Sequence, residues 1–155
     1  MEILNQKKLT AHQKKQVFDL WNTEYPASIC HKNIDGLEEY LSKLKNPKHT
    51  LIVDKNELLA WYCDFERDSE RNFAMIVSRQ AQGLGIGTKL LNLAKSINNS
   101  LFGWVVIGDG YKKIDGSEYP SPVGFYEKNG FEILFDQTWE SDVLKTVKIR
   151  WGNKE

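Results

Sequence analysis

Cysteine is scarce in this chain, with Cys30 and Cys63 far apart in 155 residues. Neither sits in a Cys-x-x-Cys or Cys/His spacing, so the sequence holds no zinc-ligand or redox pattern and reads as two reduced thiols. His12, His31 and His49 are also scattered, and no metal is expected. Net charge is lacking too. Lys+Arg and Asp+Glu both number 21, so no global pull toward nucleic acid or an anionic membrane is expected. No apolar run approaches the ~20 residues of a membrane span, and Met1–Lys8 has no signal-peptide core. The expectation is one cytoplasmic domain over 1–155, with a composition of 41% hydrophobic and 27% charged residues that suits a packed core.

What is present begins with a short opening strand over Glu2–Lys8. Thr10-Ala-His-Gln13 then has the form of a capping box, starting a helix from Ala11 to Asn22 with Val17, Leu20 and Trp21 at helical spacing. Pro26 keeps Tyr25 out of helical geometry. A second helix is expected over Leu37–Leu44, capped by Asp35 and ended by Asn46-Pro47. From His49 the period changes to two. Thr50–Val53, Leu58–Phe65 and Asn72–Ser78 read as an antiparallel meander, with Trp61, Cys63 and Phe65 on one face of the middle strand and Tyr62 and Asp64 on the other.

A glycine-punctuated turn follows, Gln82-Gly83-Leu84-Gly85-Ile86-Gly87-Thr88, and opens a helix with Ile86, Leu90, Leu93, Ala94 and Ile97 on one face. A turn of this kind aims free N–H groups and the positive end of a helix dipole at one point, which suits phosphate. The Walker pattern fails, because Thr88 precedes Lys89 instead of following it. The dinucleotide fingerprint fails as well, because the spacing is Gly-x-Gly-x-Gly and the turn follows an antiparallel meander. A turn that needs glycine for backbone reasons alone stays open. Strand Gly103–Ile107 comes next, then a long polar loop, Gly108–Tyr119. Ser121-Pro122 opens a short helix closed by Gly130, and strands Phe131–Phe135 and Val143–Trp151 end the order β-α-α-β-β-β-α-β-α-β-β.

The glycine turn resembles the Arg/Gln-x-x-Gly-x-Gly/Ala signature of the GNAT superfamily of acyl-CoA N-acyltransferases, with Gln82, Gly85 and Gly87 in the fixed positions. Ser121-Pro-Val-Gly-Phe-Tyr126-Glu-Lys-Asn-Gly130-Phe131 resembles the same family's second signature, a short Tyr-bearing helix ending in Gly-Phe. The resemblance covers nearly the whole chain and implies an α+β GNAT-like fold. In that fold a mostly antiparallel sheet contains one splayed parallel pair and is flanked by helices.

The resemblance further implies an acetyl-CoA-dependent N-acetyltransferase working by direct transfer, without metal, on a small-molecule or peptide amine, with a homodimer as the family-based expectation. The pyrophosphate is expected on Gln82 to Thr88, the pantetheine arm along Ile76 and Val77, and Tyr126 as the acid for the leaving thiolate. The base is sought at Glu66, with Asp64 and Glu24 as alternatives, and Trp21, Tyr25, Tyr111 and Tyr119 as acceptor-pocket residues. Trp21 has a competing reading as core, since it continues the apolar stripe of its helix. Gly108-Asp109 stands where many members carry an Asn, which suggests that the loop after it reshapes the pocket. A non-catalytic acyl-CoA-binding domain is the competing function.

Overall fold

The computed structural model describes residues 1–152. Among these, seven strands form one sheet in the order β1-β2-β3-β4-β5-β7-β6. They are β1 (Glu2–Gln6), β2 (Lys45–Asp54), β3 (Glu57–Arg67), β4 (Glu70–Val77), β5 (Ser100–Val106), β6 (Glu132–Glu140) and β7 (Lys145–Gly152). The meander holds, because its turns are tight and of the right hand. Lys55 and Asn56 both have positive φ (50° and 67°), as do Asp68 and Ser69 (52° and 63°). Such paired left-handed residues match the twist of the strands they join.

Helices α1 (Ala11–Glu24) and α2 (Ile34–Ser42) cover one face, and α3 (Ile86–Ile97) and α4 (Val123–Lys128) the other. Strand alternation divides the core between them. Trp61, Cys63 and Phe65 pack under α1 and α2, while Ala60 and Tyr62 pack under α3. The Thr10–Gln13 capping box forms in full. None of the described helices is long and apolar enough to cross a membrane.

Four local expectations are corrected. The second helix starts three residues early, capped at Asn33, and Asp35 sits in its first turn, where a carboxylate favours the helix dipole. Asn46-Pro47 lies inside β2 instead of ending a helix. Asn46 (φ 49°) makes a bulge there, and β1 pairs only from His49 onward, so the missing Pro47 N–H has no partner to lose. On α3 the covered stripe is Ile86, Leu90, Leu91 and Ala94, whereas Leu93 and Ile97 are exposed (41% and 68%). The stripe turns toward Leu91, and Ile97 ends the helix at its solvent side. The short helix begins at Val123, one residue late. The Ser121 hydroxyl accepts the Val123 N–H (3.4 Å) and donates to the Val106 carbonyl (2.6 Å), tying α4 to the end of β5.

One strand pair creates the site. β3 and β4 pair from Arg67↔Glu70 through to Ala60↔Val77, but β4 and β5, the one parallel pair, register only at Asn72↔Phe102. Beyond that point the two strands diverge, and the β5-facing edge of Phe73–Val77 has no strand beside it.

Buried polar groups lock the sheet at its other end. Asp64 is 1% exposed, receives the Tyr62 hydroxyl (2.8 Å) and pairs with Arg71 (2.6 Å). His49 accepts the Trp61 indole N–H at Nδ1 (3.0 Å), and its burial pushes its pKa down to about 4, against a smaller upward pull from Asp64. A histidine held neutral in the fold but free to charge when unfolded stabilises above pH ~6.5. That stability drains as pH falls toward 4. Urea midpoints are therefore expected to drop more for the natural chain than for His49→Gln between pH 6.5 and 4, and parallel slopes would contradict it.

Candidate active site

The glycine turn follows directly from the free end of β4. Ser78 donates its N–H back to Leu59 (2.8 Å), a single 3-10 turn covers Arg79–Ala81, and the chain reverses through Gly83 (φ 84°) and Gly85 (φ 78°). Both values lie in the left-handed region that glycine adopts without strain. Gly85 caps α3, and among the described residues no side chain accepts from the helix's first N–H groups, so these donors are free. Gly87 is small for a different reason: a Cβ there would meet the Phe125 ring at 2.8 Å, so α4 packs directly over the first turn of α3.

A cavity of about 530 Å³ opens between these elements, lined by Ile76, Val77, Gln82, Gly83 and Gly85–Thr88 on one side and by Tyr126 on the other. A second, of about 290 Å³, lies under α1 and α2 against Trp21, Tyr40, Phe65 and Trp104. Tyr25, Met75, Tyr119, Pro122 and Tyr126 line both. These five mark the passage that the splayed strands leave open.

Three phenols meet at that passage. Burial, with Tyr119 nearby, raises Tyr126 well above the ordinary tyrosine range. Burial also pushes Tyr119 up to about 12. Tyr25 is raised by burial and then by its neighbours Tyr119, Tyr40 and Tyr126. All three keep their protons at neutral pH. Tyr126 is held edge-on by Phe73 (5.7 Å) and Phe131 (5.5 Å), which fixes its ring.

The residues expected in the site divide sharply. The structure brings together Ile76, Val77, Gln82, Gly83, Gly85–Thr88, Tyr25, Tyr119 and Tyr126. Leu84 belongs to the same turn but points to solvent at 67% exposure. Glu66 is not brought to the cleft. It lines neither cavity: it pairs in register with Arg71, lies 3.8 Å from Lys45, and strand alternation turns it to the face opposite Phe65 and Arg67. Asp64 is consumed by Arg71 and Tyr62. Trp21 is buried, its indole N–H donated to the Ile29 carbonyl (2.9 Å), and it lines the second cavity. Tyr111 lines neither cavity; its hydroxyl accepts the Lys145 N–H (2.9 Å) and clamps the long loop to β7.

Glu24 reaches the cleft in a role the sequence does not reveal. One carboxylate oxygen pairs with Lys113 (3.0 Å) and the other accepts the Arg79 N–H (2.8 Å), with Glu24 6% and Lys113 8% exposed. Both oxygens are engaged, so Glu24 joins α1 to the glycine turn and to the loop instead of standing free as a base. Lys113 has no sequence signal, because its partner is 89 residues away. The same loop is held by Ala27 donating to the Lys112 carbonyl (2.7 Å) and by Arg79 on Asp115 (3.2 Å). Hydrogen bonds from Ser117 and then the Arg79 contact hold Asp115 down at about 2.

With this geometry in view, residues 46–133 match the family described as the acetyltransferase (GNAT) domain. The fold is similar to that of an aminoglycoside 6'-N-acetyltransferase complexed with coenzyme A, at 16% identity over 98% of this chain and 97% of that one, with a TM-score of 0.70. It is also similar to the aminoglycoside 6'-N-acetyltransferase from Enterococcus faecium (17%, 98% and 97%, TM-score 0.68) and to a spermidine N-acetyltransferase from Vibrio cholerae (15%, 98% and 95%, TM-score 0.64). At these identities the likeness shows the fold. A search of curated protein sequences finds no match.

Proposed function

The chain belongs to the acetyltransferase (GNAT) family, and from that premise we propose that it transfers the acetyl group of acetyl-CoA directly to a primary amine. The observation that carries the reading is Tyr126 on the wall common to both cavities, one of which ends at an uncapped helix and the other under an aromatic roof. The N–H groups around Gly83–Thr88 fit a pyrophosphate. The unpaired edge of β4 at Ile76 and Val77 offers backbone partners to the amide-bearing pantetheine arm, as it would to an added strand. A coenzyme A-bound relative with the same fold supports acyl-CoA as the donor.

In the proposed step the amine lone pair forms the N–C bond at the thioester carbonyl, and the C–S bond breaks. The departing thiolate takes the Tyr126 proton, the nitrogen loses its own to water, and water returns a proton to the Tyr126 phenolate, so the turnover is proton-neutral. Tyr126 suits the acid role because its raised pKa keeps the proton in place. Glu24 is occupied by Lys113 and Arg79, so the amine is expected to react from its neutral fraction. Among the described residues no carboxylate besides Glu24 lines either cavity, which also favours a second reading, a domain that binds acyl-CoA without transferring it. Initial rates separate the two. With acetyl-CoA and an amine both varied, thiol release should give intersecting lines and no acetylated protein. Parallel lines with an acetyl-enzyme would overturn direct transfer, and tight acetyl-CoA binding without thiol release would favour the second reading.

A further inference from the structure

The second cavity says what kind of amine fits. Among the described residues its wall contains no Asp or Glu, and its one charged side chain is Arg67. Arg67 lies on the α1/α2 face, its guanidinium 5.1 Å over the Phe65 ring and close enough to Tyr40 to pull that phenol's pKa down against the larger effect of burial. It has no carboxylate within ion-pair distance among the described residues. Its cross-strand neighbour Glu70 is held by Lys148 at 2.7 Å. Arg67 is exposed at the rim of the cavity, its guanidinium over the Phe65 ring and without a carboxylate partner among the described residues, so it is available to receive a carboxylate.

Distance along the strands sets the shape. Phe65 is in register with Asn72, so the guanidinium sits near that level, while Met75 at the passage lies three residues further along β4. Three strand residues span roughly 10 Å. The space between is apolar and aromatic (Trp21, Tyr40, Phe73, Trp104), and at about 290 Å³ it is small.

We propose that the acceptor is an amine carrying an anionic group on the far side of an apolar spacer, with the amine at the passage beside Tyr126 and the anion on Arg67. A polycation meets a like charge and no carboxylate, so it is the wrong class for this wall. The proposal rests on the transfer reading above and fixes the acceptor for the same site.

The test compares para-(aminomethyl)benzoate with para-methylbenzylamine, its twin lacking the carboxylate, and with spermidine, by thiol release from acetyl-CoA. The carboxylate probe is expected to exceed its twin in kcat/KM by about tenfold or more, with spermidine poorest. Arg67→Gln should bring the twin ratio near one. Equal twins, preference for spermidine, or a ratio untouched by Arg67→Gln overturns the proposal. Calorimetry of the same probes on the protein loaded with CoA separates the two levels. Arg67-dependent binding of the carboxylate probe without thiol release upholds the anion site and sinks the transfer reading. Spermidine-preferring turnover does the reverse, and neither binding nor turnover of the carboxylate probe removes the anion site.

Discussion

Replacing Gly85 with valine is expected to weaken acetyl-CoA binding by more than about 100-fold, the equivalent of roughly 2.7 kcal/mol. Two effects combine. Gly85 sits at φ 78°, a conformation that costs an L-residue roughly 1–2 kcal/mol, and a β-branched one most of all. The second effect is obstruction. A Cβ at this position has open space around it, and Gly85 lines the cleft at the start of α3, so an added side chain is expected to crowd a phosphate held on the uncapped N–H groups. Gly85→Ala separates the two, because it carries most of the backbone strain with little of the bulk. Its loss should be smaller, with the far-ultraviolet spectrum unchanged in both variants. Calorimetry with acetyl-CoA reads the result, and full affinity in Gly85→Val removes the phosphate assignment.

Tyr126→Phe should slow turnover by about 100-fold or more, within the range that a positioned proton donor contributes, and leave acetyl-CoA affinity nearly intact. The ring that packs on Phe73 and Phe131 is retained in the variant, so only the hydroxyl is lost. The raised pKa also sets the pH profile. A phenol held above its ordinary range stays protonated past pH 10, so deprotonation of this group brings no fall in rate up to that pH. The rising limb belongs to the amine, and should move with the pKa of the amine used. A variant that loses affinity and rate equally makes Tyr126 a packing residue.

The features legible in the sequence are those encoded locally. Strand alternation through Trp61, Tyr62, Cys63, Asp64 and Phe65 assigns each side chain to its face before any contact is known. The glycine turn is equally readable, because a strand end, two left-handed residues and a helix start are all set within a few residues. What fails is what depends on distant partners. Glu66 sits in β3 between Phe65 and Arg67, which line the second cavity, yet alternation turns it to the other face, and only the packing of distant elements decides which face holds the cavity. Glu24 looks like a spare carboxylate until the fold brings it Lys113 and the Arg79 N–H. Asn46-Pro47 reads as a stop signal, but a bulge accommodates it at a point where β1 has not yet joined. The insertion of β7 between β5 and β6 has no local mark either.

Transfer across the passage between the two cavities is read in a single turnover. Protein preloaded with one equivalent of acetyl-CoA is mixed with a primary amine, and the amine is followed by mass spectrometry alongside free thiol. Acetylated amine and thiol are expected to appear together, in equal amounts and at one rate, with a slower common rate in Tyr126→Phe. Thiol released without acetylated amine, or acetyl-CoA retained unchanged beside every amine offered, would contradict direct transfer.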